Sequence, residues 1–98
     1  MPVFLDVDPR TLHLPSSRPS GADPGKLARE LSQFGMSTTG MPRLFVIRDG
    51  QGRLQIIDGV TRATRAAKLC PGTLVPIEII GDLPGQCGRL PTVGERLP

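Results

Sequence analysis

Residues 56–69 read Ile56-Ile57-Asp58-Gly59-Val60-Thr61-Arg62-Ala63-Thr64-Arg65-Ala66-Ala67-Lys68-Leu69. An apolar pair ends at Asp-Gly, a dipeptide typical of turns, and an alanine-rich run with helical periodicity follows it. One face of the predicted helix is a stripe of small apolar residues, namely Val60, Ala63, Ala67 and Cys70. The opposite face carries the cations Arg62, Arg65 and Lys68. The stretch therefore predicts a strand, a tight turn and a helix that packs closely on a sheet.

The sequence around this stretch predicts more of the sheet. Residues 43–48 and 53–57 are apolar runs joined by Asp49-Gly50-Gln51-Gly52, which favours a hairpin because glycine tolerates positive φ angles. Residues 74–80 form a further apolar run. Its proline, Pro76, cannot donate a backbone hydrogen bond and so predicts an edge strand or a bulge.

The N-terminal part predicts a strand over residues 3–7 and a helix that begins at Asp23-Pro24 and ends at Gly35. The order is strand, helix, hairpin, helix, strand. We therefore predict an α+β fold with a small mixed β-sheet and two main helices. A chain of 98 residues forms one domain, which we assign to residues 1–82. The Pro/Gly-rich residues 83–98 form a tail that wraps the domain or frays.

Composition gives only a broad indication of function. The formal net charge is +3, which favours anionic partners but is far from that of a dedicated nucleic-acid arm. The two cysteines, Cys70 and Cys87, are too far apart for a CxxC motif. The first residues lack the pattern of a signal peptide, and no apolar run is long enough to span a membrane. We therefore expect a cytoplasmic protein without a membrane partner.

The turn before the alanine-rich helix is the best candidate for a binding site. The first N–H groups of a helix have no intrahelical acceptor, and the helix dipole adds positive charge there. Gly59 lets a ligand approach the backbone, Thr61 offers a hydroxyl, and Arg62 offers a forked donor. These groups suit a phosphate or a carboxylate. The residues alone leave a second interpretation open, in which Gly59 only relieves a tight turn and the arginines only solvate a helix face.

Several motifs, in the same order as the predicted elements, resemble the ParB/sulfiredoxin-like domain family over roughly residues 3–80. They are Ser17-Arg18-Pro19 before the first helix, Leu27-Ala28-x-x-Leu31 followed by Gly35, Pro42 before residues 44–48, and Ile57-Asp58-Gly59-x-x-Arg62 before the alanine-rich helix. Members of that family include CTP-dependent partition clamps, ATP-using sulfinic acid reductases, a free-serine kinase and nuclease-like proteins.

The resemblance implies that the Gly-x-x-Arg turn binds nucleotide phosphates through Gly59 and Arg62, and that Arg18 matches the arginine before the first helix. It implies a nucleotide such as CTP or ATP, with Mg²⁺, as the cofactor. Asp58 is a candidate to hold that metal, although an Asp beside a Gly is more often a turn residue. No other metal site is predicted.

Val60 is the main departure from the family pattern. In the family that the chain resembles, ParB proteins typically carry an acidic residue at this position, and sulfiredoxins carry their catalytic cysteine there. Val60 therefore argues against both activities, and no catalytic residue is predicted. No helix-turn-helix segment follows, which argues against a sequence-specific partition protein.

The sequence thus favours a stand-alone nucleotide- or phosphate-binding module rather than an enzyme. The alternative is a nucleic-acid-binding accessory protein that uses Arg65 and Lys68 on the basic helix face. The sequence does not predict an oligomeric state.

Overall fold

The computed structural model describes residues 3–35, 37, 40–85 and 88–97; Cys87 lies outside them. The main elements are β1 (Val3–Val7), α1 (Pro24–Phe34), β2 (Leu44–Arg48), β3 (Leu54–Asp58), α2 (Val60–Leu69) and β4 (Val75–Asp82). Short 3₁₀ turns cover Pro9–Thr11 and Gly94–Arg96. None of the helices in these ranges is long and apolar enough to cross a membrane.

The four strands form one mixed sheet in the order β1-β4-β2-β3. β1 is antiparallel to β4, β4 is parallel to β2, and β2 is antiparallel to β3. The predicted α+β class, with a small mixed sheet and two helices, is confirmed.

Local signals in the sequence determine where the elements begin and end. The Asp23 carboxylate accepts a hydrogen bond from the backbone N–H of Lys26 at 3.0 Å and so caps α1. Gly35 ends that helix with a positive φ of 56°. In the β2–β3 hairpin, the buried Asp49 carboxylate accepts from the N–H groups of Gln51 and Arg53 at 2.9 and 2.8 Å. These bonds fix the turn that the sequence predicted.

The position of Pro76 differs from the prediction. β4 is a central strand, not an edge, and its irregular pairing with β2 falls opposite Val46 and Ile47 rather than at Pro76. Pairing with β2 begins only at Ile77, so at Pro76 the strand has one paired neighbour, β1. The missing N–H is therefore tolerated without an edge or a bulge.

The core lies between the helices and one face of the sheet. Alternate residues of the two central strands are buried there, including Leu44, Val46 and Ile77, and the alanines of α2 pack against them. α1 packs on α2. Ala63, Ala66 and Ala67 of α2 belong to the same core cluster as these strand residues.

The predicted solvent exposure of Arg65 is wrong. This residue is 2% exposed, and its Nη1 donates to the carbonyl oxygens of Gly35 at 3.0 Å and Ser37 at 2.5 Å. Its Nε lies 3.5 Å from Glu30 Oε1, and its guanidinium lies over the Phe34 ring. The helical wheel placed Arg65 with Arg62 and Lys68, but α1 covers this side of α2 and supplies the partners that a buried cation needs.

The outer edge of β3 is covered by two short segments. His13 N–H donates to the Leu54 carbonyl and His13 carbonyl accepts from Ile56 N–H, both at 2.9 Å. Residues 12–14 in turn pair with a second segment: the Leu14 N–H donates to the Pro91 carbonyl, and the Val93 N–H donates to the Leu12 carbonyl. Val93 is 1% exposed and belongs to the core. Residues 91–93, which fall in the predicted tail, therefore pack on the domain.

Candidate functional site

A cavity of about 270 Å³ opens at the junction between β3 and α2. Three parts of the chain form its wall: the loop before α1, the first turns of α1, and the β3–α2 junction. The lining residues are Pro15, Ser17, Arg18, Ala22, Asp23, Lys26, Glu30, Ile57, Asp58, Gly59, Val60, Thr61 and Arg62.

The turn at Gly59 has a backbone that only glycine adopts readily. Its φ is 113°, and a Cβ added there would overlap Leu44 Cδ2 and lie 3.0 Å from Arg62 Nη2. The turn follows an irregular pairing, in which Phe45 opposes Asp58 but Val46 opposes Ile56. This register shift leaves an extra residue, Ile57, in β3 immediately before the junction.

No side chain caps the N-terminus of α2. The first intrahelical bond runs from Ala63 N–H to the Gly59 carbonyl at 2.9 Å, so the N–H groups of residues 60–62 have no intrahelical acceptor. Val60, Thr61 and Arg62 all line the cavity. The positive end of the helix dipole therefore lies at the cavity wall.

Arg62 makes only weak contacts with the rest of the described chain. Its Nη2 lies 3.5 Å from the Arg43 carbonyl oxygen and 3.7 Å from Asp58 Oδ2. Its Nε is buried and has no hydrogen-bond partner among the described residues. The side chain is 23% exposed. A guanidinium held this loosely keeps donors for a ligand.

The opposite wall of the cavity carries two more cations, Arg18 and Lys26. Arg18 lies in a turn in which its N–H donates to Pro15 at 2.9 Å and its carbonyl accepts from Gly21 at 3.1 Å. Lys26 lies in the first turn of α1, beside the Asp23 cap.

Three carboxylates balance the three cations of the wall, but two of them are already engaged. Asp23 caps α1, and Glu30 pairs with buried Arg65. Asp58 is 67% exposed and only 3.7 Å from Arg62, so solvent screens this pair. The charges of the lining side chains are therefore balanced in number, and the free N–H groups of the helix start add partial positive charge to the wall.

The structure brings five predicted site residues to one cavity: Gly59, Thr61, Arg62, Arg18 and Asp58. It does not bring Arg65 and Lys68 there. Arg65 is buried between the helices and Lys68 is exposed outside the cavity. Sequence reasoning missed Lys26 and Ser17 as lining residues. Ser17 stands beside Arg18 in the motif before α1, whereas no sequence signal marked Lys26.

The polar side chains of the described lining are cations, carboxylates and hydroxyl groups. Its hydroxyl groups come from Ser17 and Thr61, and the described lining includes no histidine or cysteine to activate them. Across the described ranges, no group of three or more His, Cys, Asp or Glu residues could hold a metal ion. Asp58 thus has no such companions there, and Val60 brings an apolar side chain to the helix start.

No family model, no curated protein and no solved structure matches this chain.

Proposed function

We propose that this domain binds the phosphate group of a nucleotide, or of another phosphate-bearing ligand, in the cavity at the N-terminus of α2. The observation that carries the proposal is the helix start without a side-chain cap, which opens on a cavity lined by the cations Arg18, Lys26 and Arg62. A helix N-terminus of this kind binds anions through its free N–H groups and its dipole.

Four lining residues have definite roles in this proposal. Gly59 gives the turn the positive φ that leads into the helix start, a conformation in which a Cβ would overlap buried Leu44. Thr61 donates a hydroxyl hydrogen bond. Arg62 supplies the guanidinium, with its unpartnered Nε, and Arg18 supplies a second cation from the facing loop.

The cavity volume supports a ligand that is held by its phosphate end. About 270 Å³ is at the small end of the range for ligand pockets. A phosphate and a small adjoining group fill such a space, and the remainder of a nucleotide extends toward solvent. The resemblance to the ParB/sulfiredoxin-like domain favours CTP or ATP, with Mg²⁺, as the ligand. The proposed location of the protein is the cytoplasm, where nucleotides and Mg²⁺ are abundant.

Binding without catalysis is the form of the proposal that the residues support. Val60 stands at the place of the family's acidic or cysteine residue, and the described lining includes no histidine or cysteine.

A nucleic-acid-binding role is the weaker candidate. It relied on Arg65 and Lys68 as a shared basic face, and burial removes Arg65 from the surface. Lys68 remains exposed on α2. This role predicts an affinity that falls steeply with salt and depends on Lys68, whereas the cavity site predicts dependence on Gly59 and Arg62.

Thermal unfolding of the wild type, Arg62→Ala and Lys68→Ala in the presence of ligand tests the proposal. The ligands are CTP, ATP, GTP and inorganic phosphate, each with and without Mg²⁺. A ligand at about 100 times its Kd stabilises the fold by about 2.7 kcal/mol, which raises Tm by roughly 10–20 °C in a domain of this size. Lys68→Ala is the matched control, because it removes one positive charge from the same helix outside the cavity.

A ligand that raises the Tm of the wild type and of Lys68→Ala, but not of Arg62→Ala, supports the site and identifies its preference. Arg62→Ala is expected to fold, since the hydrogen bond and ion pair of Arg62 within the described chain are long and weak. If none of the ligands shifts the wild type, the proposal is wrong. If Lys68→Ala abolishes the shift, the ligand binds outside the cavity.

A further inference from the structure

Glu30 is a carboxylate on the cavity wall that keeps most of its hydrogen-bonding capacity. It lines the cavity from the second turn of α1, and its side chain is 19% exposed. Among the described residues its polar contact is an ion pair with buried Arg65, whose Nε lies 3.5 Å from Glu30 Oε1. This contact is not a hydrogen bond, since Arg65 Nε has no hydrogen-bond partner in the described chain. A carboxylate has about four acceptor positions, so Glu30 keeps acceptors for a ligand.

The pair with Arg65 also shows where the Glu30 carboxylate lies along α2. Arg65 follows Arg62 by three residues, so it lies about one turn, roughly 5 Å, further along the helix. Lys26 precedes Glu30 by four residues on the same face of α1. Glu30 nevertheless forms its ion pair across the helix interface, with Arg65. Its carboxylate therefore reaches α2 about one turn past the N–H groups that are proposed to hold the phosphate.

The charges around Glu30 favour a neutral hydrogen-bond donor in the ligand. An ammonium group would bring further positive charge next to Arg65 and the cations of the wall. A second phosphate group would face the Glu30 carboxylate, and two like charges at such a distance repel each other. A hydroxyl group adds no charge, and its hydrogen bond to a carboxylate is about twice as strong as one between neutral groups.

The rest of the lining suits an aliphatic group better than an aromatic ring. Its apolar members are Pro15, Ala22, Ile57 and Val60, and no aromatic residue stands among the lining residues that the structure describes. Bases commonly bind by stacking on aromatic side chains. The space beside the phosphate, within a cavity of about 270 Å³, therefore suits a short hydroxylated carbon chain or a sugar.

We propose that Glu30 selects ligands with a hydroxyl group on a carbon close to the phosphate ester, and that it accepts the hydrogen bond from this hydroxyl. Sugar phosphates and the ribose of a nucleotide share this chemistry. The inference rests on the proposed phosphate site and extends it by naming the group that adjoins the phosphate.

Isothermal titration calorimetry of the wild type with glycerol 3-phosphate and with propyl phosphate tests the inference. The two compounds have the same phosphate ester and the same carbon chain, but only the first carries hydroxyl groups. The wild type is expected to bind glycerol 3-phosphate at least about tenfold more tightly. A hydrogen bond to a charged acceptor contributes this much, and propyl phosphate leaves the Glu30 carboxylate without it.

Glu30→Gln keeps the size of the side chain and an acceptor for Arg65, but it removes the charge. We expect the preference for glycerol 3-phosphate to fall to about threefold or less, because the hydrogen bond then joins neutral groups. Glu78→Gln is the matched control, since Glu78 is also paired with an arginine, Arg43, and lies outside the cavity. This control is expected to keep the preference of the wild type. Circular dichroism shows whether each variant is folded.

Equal affinities of the wild type for the two compounds would overturn this inference and leave the phosphate site in place. Binding of neither compound would overturn the phosphate site as well. A preference that Glu30→Gln retains in full would also overturn the inference, since the hydroxyl would then be recognised elsewhere. Once the preference is found, ribose 5-phosphate and AMP identify the source of the ligand. Tighter binding of AMP indicates a nucleotide, and equal or weaker binding indicates a free sugar phosphate.

Discussion

Replacing Gly59 by alanine should destabilise the domain more than the same change at any glycine in open space. Two separate costs arise at this position. The φ of 113° places an alanine in a left-handed conformation, and the new Cβ would overlap Cδ2 of Leu44, which is fully buried. Neither cost can be relieved cheaply, since Leu44 belongs to the core beneath the turn.

The magnitude follows from adding the two costs. A left-handed conformation costs a non-glycine residue about 1–2 kcal/mol. Forcing an extra methyl group into a packed core costs about 1–3 kcal/mol. We expect a total near 3 kcal/mol. In a domain of this size that corresponds to a fall in Tm of roughly 12–24 °C.

Gly72→Ala separates the two costs. Gly72 also has a positive φ, 85°, but nothing lies within 4 Å of its would-be Cβ. It should therefore lose only the conformational cost, about 1 kcal/mol. Combining Gly59→Ala with Leu44→Val, which removes the overlapping atom, should cost less than the sum of the single changes by about 1 kcal/mol.

Urea denaturation of the four variants and the wild type measures these differences as free energies of unfolding. Equal losses for Gly59→Ala and Gly72→Ala would show that Leu44 does not constrain the turn, and the close approach at the cavity wall would then be wrong. Strict additivity in the double variant would have the same meaning.

Three other perturbations have definite expected outcomes. Arg65→Met should lower the free energy of unfolding by about 3 kcal/mol in urea titrations, because it leaves the Glu30 carboxylate without its partner at a buried site. A loss smaller than that of a surface substitution would contradict the burial of Arg65. Asp49→Ala should cost about 2 kcal/mol, since two hairpin N–H groups lose their acceptor, and Asp49→Asn, which keeps one acceptor oxygen, should cost less. Hydrogen bonds from Arg10 lower the pKa of Asp8 in the folded state, so the stability this group adds is present at neutral pH and is lost as the pH falls below about 4; Tm profiles of the wild type and Asp8→Asn should therefore converge at low pH, and parallel profiles would show that the carboxylate adds nothing.

Most element boundaries were predictable because their signals are local. The β1 range and the α2 range agree with the prediction, and α1 begins and ends at the expected Asp23 and Gly35. β4 extends two residues further than its apolar run, to Asp82, because Arg48 of β2 pairs with it there. Arg48 is distant from β4 in the sequence, so local signals do not predict this pairing. The strand order, which makes β4 central despite Pro76, also depends on such distant pairings.

The residues of the candidate site also divide into those that local signals predict and those that depend on contacts between distant parts of the chain. Asp58, Gly59, Thr61 and Arg62 are consecutive or nearly so, and a strand–turn–helix pattern identifies them together. Arg18 was expected only from the family resemblance, and Lys26 was not expected at all, because their approach depends on how α1 lies beside α2. The prediction that Arg65 is exposed was wrong for a related reason. Periodicity alone cannot distinguish a solvated cation from one that is covered by a neighbouring helix and bonded to carbonyls that follow that helix.

The closing segments of the sheet have a consequence for how the chain folds. β1 finds its partner only in β4, and residues 12–14 are completed only by residues 91–93. Both edges of the sheet therefore form only through contacts between residues that are far apart in the chain. The loop-closure entropy of such contacts slows folding. During synthesis the apolar β1 leaves the ribosome long before β4 exists. Until residues 75–82 have been made, β1 therefore remains an apolar strand without its partner.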